Sequence, residues 1–411
     1  MKHLSIFPLL FLCSAALCWL LPVDCQKPAG PPCTATEVCD YFVNPTPARY
    51  AALGSCSAPA AGTLDGAIRS MRSQSAAGDM LGEWLTDSAQ QPYRVGFSTP
   101  RRVAADTTYP LIIYLHGGTG SERNDKGDSA FTMLKDLADT FRLFLASPSA
   151  NRYTPWWSPA GLSRVLQTLR FMTLHYPVNP DKVFLAGVSD GATGCYAAAN
   201  TIPGPFAGFI AISGFGGMLP QVGMELVPGN LMQRPIYNVN AGLDRIYPVD
   251  MVKAFVAGLQ SQGVPVTAKW YDNELHGFDY RAKEMGTLAN LIRTWSKPEI
   301  KGVSWTFVPG FPNLPDNILA WEYASINASA SGFWRKDTLI IQTWGLQSLT
   351  LAFSGASSVK KVRCLLLADS DKGRKLKLTP ITLGWQDQLQ LMMHGCFPVI
   401  NDKAAVLFVK P

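Results

Sequence analysis

The segment Lys182-Val183-Phe184-Leu185-Ala186-Gly187-Val188-Ser189-Asp190-Gly191 carries an apolar run straight into a helical pattern that begins near Ala192. A nearly continuous apolar stretch reads as a strand buried on both faces. The residues after it fit Gly-x-Ser-x-Gly. In that pattern two glycines relieve the crowding of a sharp strand-to-helix turn, and the serine hydroxyl projects from the C-terminal edge of the sheet. Five residues match by chance, and a structural serine in a tight turn is the plainer alternative. Strand, elbow and helix in succession make Ser189 the candidate nucleophile.

The same texture continues on both sides. Residues 111–115, 141–146, 208–212, 235–240 and 266–271 read as further buried strands. Helical periodicity fills 130–141, 162–176, 192–200, 249–262 and 280–295 between them. Such alternation predicts a doubly wound, mostly parallel α/β sheet, here over residues 92–297. After Lys297-Pro298 the apolar runs shorten to 303–307, 323–328, 338–343, 349–353, 362–367, 376–383, 389–393 and 405–409, with Gly, Asn, Asp or Pro between many of them. Residues 298–411 are therefore expected to form an appended all-β, sandwich-like module.

At 411 residues, 47% hydrophobic and 16% charged, the chain has enough sequence for a large core and too little charge for a disordered segment. The net charge is +6, with 12 Lys and Arg against 7 Asp and Glu from Lys301 onward. No run is dense enough for nucleic acid. Met1-Lys2-His3 and the apolar stretch 4–21, broken at Pro22-Val23-Asp24, have the layout of a signal peptide over 1–25, with an uncleaved anchor as the alternative. A secreted, periplasmic or cell-surface protein with no later membrane span is expected. Residues 26–91 form a Pro/Ala/Cys-rich extension, irregular to about 62 and helical over 64–85. Cys33, Cys39 and Cys56 cluster there, so a disulfide is expected, whereas Cys195 reads as a buried apolar residue. Without a C-x-x-C pair or H-E-x-x-H, no metal or cofactor is expected.

A nucleophilic serine needs a base, and the histidines can be eliminated in turn. His3 belongs to the signal segment, His116 ends a strand in a glycine-rich loop, His175 closes a helix and His394 lies in the C-terminal module. His276 follows a strand and precedes the last helix of the α/β region, which makes it the candidate base. The orienting acid should lie between serine and histidine in the chain. Asp244, in a loop just after a strand, suits that role; Asp250 inside the next helix and Asp272 close to His276 are the rivals. Oxyanion donors are expected from the Asp190 N–H and from the loop His116-Gly117-Gly118-Thr119-Gly120. Gly118 is preferred there, with Gly117 or Thr119 as substitutes.

These motifs lie in Tyr109-Pro110-Leu111-Ile112-Ile113-Tyr114-Leu115-His116-Gly117-Gly118, in Val178-Asn179-Pro180-Asp181 running on to Gly191, and in the Asp244 and His276 segments. On them, residues 92–296 resemble the α/β-hydrolase family. The similarity is to its secreted polyhydroxybutyrate-depolymerase-like, feruloyl-esterase-like and prolyl-oligopeptidase-like esterases. The resemblance covers about half of the chain and implies Ser189, Asp244 and His276 as a triad, in agreement with the elimination above. It implies no substrate.

Trp156 and Trp157, on the same edge of the sheet, are candidate substrate-binding residues able to stack a sugar or phenolic ring, with loop packing as the alternative reading. The expectation is an exported serine hydrolase acting on a small-molecule or polysaccharide-linked ester. A serine peptidase of the prolyl-oligopeptidase type, or a non-catalytic binding protein that uses its β module, are the rivals.

Overall fold

The computed structural model describes residues 30–87, 89–104, 107–299, 302–323, 327–335, 338–353, 362–367, 374–378, 385–397 and 405–409. The expected signal segment 1–25 lies outside them.

The extension is more regular than its composition suggests. Helices α1 (Ala35–Val43), α2 (Pro47–Gly54) and α3 (Ala61–Gln74) fill it, and β1 (Leu81–Thr86) is a strand where helical turns were expected. The signals are in the caps. The Thr34 hydroxyl accepts from the Glu37 N–H while the Glu37 carboxylate accepts from the Thr34 N–H, and Thr46 caps α2 ahead of Pro47. Cys33 and Cys56 are joined in a disulfide; Cys39, Cys195 and Cys396 are free and buried.

The central layer follows as β2 (Pro92–Ser98), β3 (Tyr109–Leu115), α4 (Gly127–Ala130), α5 (Lys135–Phe141), β4 (Phe144–Pro148), α6 (Pro159–His175), β5 (Val178–Val188), α7 (Asp190–Thr201), β6 (Gly208–Ile212), α8 (Pro228–Leu231), β7 (Ile236–Ala241), α9 (Val249–Ser261), β8 (Val266–Tyr271) and α10 (Tyr280–Thr294). Eight strands form one sheet in the order β1-β2-β4-β3-β5-β6-β7-β8. β1 and β2 run antiparallel to their neighbours, and β3 to β8 are parallel. The sheet thus begins at Leu81, ahead of the expected start at 92.

Side chains alternate across the sheet, and each face is covered by helices. Leu111, Ile113, Leu115 and Leu185 pack with Val165 and Leu169 of α6, Ala197 and Ala198 of α7 and Val252 and Val256 of α9. Ile112, Tyr114, Phe184 and Ala186 face Leu137 of α5 and Leu288 and Ile292 of α10.

The C-terminal module contains β9 (Val303–Thr306), β10 (Ile318–Tyr323), β11 (Ser329–Arg335), β12 (Thr338–Trp344), β13 (Leu346–Phe353), β14 (Val362–Leu367), β15 (Arg374–Leu378), α11 (Trp385–Gly395) and β16 (Ala405–Val409). Two sheets, β10-β13-β16 and β15-β14-β12-β11-β9, enclose a core that includes Trp305, Leu339, Ile341 and Leu349. One correction concerns residues 389–393, expected as a strand and found in α11. Leu389 and Met392 share one face of that helix and pack with Val38, Phe42, Leu64 and Ile68 of the extension.

Candidate active site

The turn from β5 into α7 leaves no room for a side chain at Gly187 or Gly191. A Cβ on Gly187 would lie 2.3 Å from the Gly191 carbonyl oxygen, and one on Gly191 would lie 1.9 Å from the Leu115 carbonyl oxygen. Ser189 itself sits at φ 55°, ψ −119°, a conformation that costs a non-glycine residue about 1–3 kcal/mol. Its N–H donates to the Ile212 carbonyl at 2.9 Å, and its own carbonyl accepts from the Ala192 and Thr193 N–H groups. The backbone is held from both sides and the hydroxyl is left free of the helix cap.

That hydroxyl meets His276. Nε2 lies 2.9 Å from Ser189 Oγ, and Nδ1 lies 2.7 Å from Asp244 Oδ2. The other carboxylate oxygen of Asp244 accepts from the Ile246 and Tyr247 N–H groups at 2.8 and 2.9 Å. With three donors around it, this carboxylate can only accept from Nδ1, which leaves Nε2 with a lone pair toward the serine. The Asp and His loops are tied together by the Leu243 N–H donating to the Glu274 carbonyl. Asp244 is buried, whereas the rival acids Asp250 and Asp272 are both exposed.

The glycine-rich loop closes over the elbow. A Cβ at position 117 would lie 3.0 Å from Ser189 Cβ, so Gly117 brings backbone directly against the serine. Gly118 has φ +64°. The Thr119 N–H is committed to Asp190 Oδ2 at 2.7 Å, and the Gly118 N–H has no partner among the described residues. The Asp190 N–H is at the first position of α7, where the helix supplies no acceptor. The Asp190 and Gly118 N–H groups are thus left without an acceptor among the described residues, the first next to Ser189 in the chain and the second on the loop whose Gly117 lies against it.

The strand order and the helices on both faces make this a doubly wound, mostly parallel α/β sheet with a serine at the turn after β5. No family model matches the sequence, and no curated protein matches it. Among solved structures, a thermostable esterase is 21% identical, with a TM-score of 0.44 over 53% of this chain, and the match spans 63% of the esterase's length. A fluorophosphonate-binding serine hydrolase of Staphylococcus aureus is 14% identical, with a TM-score of 0.42, covering 53% of this chain and 99% of that one. An acylaminoacyl peptidase of Pyrococcus horikoshii is 13% identical, with a TM-score of 0.44, covering 55% and 43%.

The remaining predicted residues take other places. Trp156 is wholly buried; its Nε1–H donates to the His116 carbonyl at 2.8 Å, and its Cβ would touch any side chain at Gly194 of α7. An indole enclosed in this way supports the loop and is not available to stack on a ligand. Trp157 is half-buried against the same core. The exposed ring of this loop is Tyr153, lying under the Arg152 guanidinium. His116 shapes the loop: Nε2 accepts from the Ala150 N–H at 3.0 Å, so Nδ1 carries the proton and donates to the Gly117 carbonyl. Burial pulls its pKa down to about 4, which keeps the ring neutral. His175 stacks on Phe171 and bonds Ser75, joining α6 to the extension.

Sequence reasoning missed Tyr247, whose ring packs edge-on against His276 at 5.7 Å and whose N–H helps hold Asp244. Its place three residues after Asp244 was the available signal. Leu243, Ile246 and Leu275, next to or near Asp244 and His276 in the chain, are exposed. Among the described residues no three His, Cys, Asp or Glu side chains gather as a metal site requires, and no helix is long and apolar enough to cross a membrane.

Proposed function

We propose that the protein is an exported serine hydrolase that cleaves carboxylic esters, with Ser189 as nucleophile, His276 as base and Asp244 as orienting acid. The observation that carries this reading is the single imidazole bridging Ser189 Oγ and Asp244 Oδ2 at 2.9 and 2.7 Å beside two free backbone donors. Ser189 Oγ attacks the ester carbonyl carbon as His276 Nε2 takes the hydroxyl proton, and the Asp190 and Gly118 N–H groups receive the oxyanion. The tetrahedral intermediate collapses when His276 returns that proton to the departing alkoxide, leaving an acyl-serine. Water, deprotonated by the same imidazole, releases the acid and restores the hydroxyl. The substrate is a small-molecule or polysaccharide-linked ester. The expected disulfide compartment and the Cys33–Cys56 bond agree with export.

The test is labelling of the purified protein by a fluorophosphonate probe. Wild type should label and Ser189→Ala should not, with the circular dichroism of the two superimposable. A folded wild type that fails to label would overturn the reading. Turnover of a chromogenic acyl ester but not of a dipeptide amide separates an esterase from a peptidase.

A further inference from the structure

The Gly118–Thr119 peptide is gripped at both ends by opposite charges. Its carbonyl oxygen, on Gly118, accepts from Lys126 Nζ. Its N–H, on Thr119, donates to Asp190 Oδ2 at 2.7 Å, and the Thr119 hydroxyl adds a second bond to the same oxygen at 2.9 Å. A peptide unit is planar, so fixing its two polar ends fixes the rotation of the whole plane. The next plane back carries the Gly118 N–H and is then constrained through the φ of +64° at Gly118.

Both charges stand on rigid supports. Asp190 opens α7 directly after Ser189. Lys126 precedes Gly127, whose N–H donates to Ser149 Oγ at 2.8 Å and whose Cα lies so close to β4 that an added Cβ would be 2.3 Å from the Ser147 carbonyl oxygen. The clamp thus joins three elements, the nucleophile elbow, the loop after β3 and the segment ahead of α4, at one peptide.

We infer that Lys126 and the Asp190 carboxylate are positioning residues that together hold the Gly118 N–H where the oxyanion forms. This rests on the proposed hydrolase reaction and extends it to two side chains that touch no reacting atom. Donor placement matters because an oxyanion donor acts only when aimed in advance, and displacement by about 1 Å costs on the order of 100-fold in rate. The backbone N–H of Asp190 is a separate contribution that replacing its side chain leaves in place.

The experiment is steady-state hydrolysis of a short-chain chromogenic acyl ester by full-length wild type, Lys126→Met, Lys126→Arg, Asp190→Asn and the double variant Lys126→Met/Asp190→Asn. Lys126→Met and Asp190→Asn should each lower kcat by about tenfold or more with KM held within about twofold, the pattern of a lost transition-state interaction. Lys126→Arg should recover most of the rate. The double variant should be little worse than the poorer single, because both act on one peptide. Fluorophosphonate labelling should slow in parallel, with melting temperatures unchanged. Unaltered kcat in Lys126→Met, beside an active wild type, overturns the clamp, as does an effect confined to KM. If Asp190→Asn fails to fold, the Lys126 pair decides alone. A wild type that neither labels nor turns over overturns the proposed reaction and the clamp with it.

Discussion

His116 shows how a residue outside the reaction ties the site to the solvent pH. Its imidazole is buried, packs edge-on against Trp156 with centroids 5.1 Å apart and holds the Gly117 carbonyl, all in the neutral form. Its folded pKa of about 4 lies below the ordinary 6.5, so the unfolded chain binds the proton more readily. The stability this ring contributes is complete above pH 6.5, erodes as pH falls and is lost once pH passes below about 4. The gap between the two values corresponds to about 3 kcal/mol. Urea unfolding between pH 7 and 4 should show wild type losing stability more steeply than His116→Gln, which has nothing to titrate at that position. Equal slopes would show that His116 stays accessible to protons in the fold. The residue was legible in the sequence as a strand-end member of the glycine-rich loop, but its tautomer depends on Ala150, which no local pattern connects to it.

At the scale of elements, α11 is the instructive case. Leu389-Gln390-Leu391-Met392-Met393 reads as an apolar run inside a β-rich region. Trp385, Leu389 and Met392 nevertheless stand at helical spacing, and that face packs on α1 and α3 from the opposite end of the chain. A short apolar run does not separate the two periods, and the partner surface makes the choice. Leu389→Ala should cost about 2–5 kcal/mol, as for other buried leucines, and should expose the C-terminal region to limited proteolysis while ester turnover persists. A surface-like loss near zero in thermal denaturation would detach α11 from the extension. The converse element is β5 with its elbow, where apolar continuity, two glycines and a following helix all lie within one short segment. That is why this turn was readable without coordinates. Trp156 was not readable in this way, because an indole in a loop looks the same whether it faces a ligand or the back of α7.

Across the whole molecule, the extension and the C-terminal helix share one satellite core with Leu174 of α6, and the Cys33–Cys56 bond closes the loop that carries α1 and α2. A cross-link spanning 23 residues stabilises by about 3 kcal/mol, largely by restricting the unfolded chain. Reduction, or Cys33→Ser/Cys56→Ser, should lower the melting temperature and raise hydrogen exchange in α11 as well as in α1 and α2. Unchanged exchange in α11 would show that the two ends fold independently. Taken by itself, the sequence determined the alternation of strands and helices and the elbow at Ser189, since each depends on neighbours within a few residues. Tertiary structure alone decided which acid meets His276, that Trp156 is enclosed, that α11 is a helix and that Lys126 and Asp190 grip one peptide. Those outcomes depend on side chains and backbone groups far apart in the chain, and only the packed sheet brings them within hydrogen-bond range.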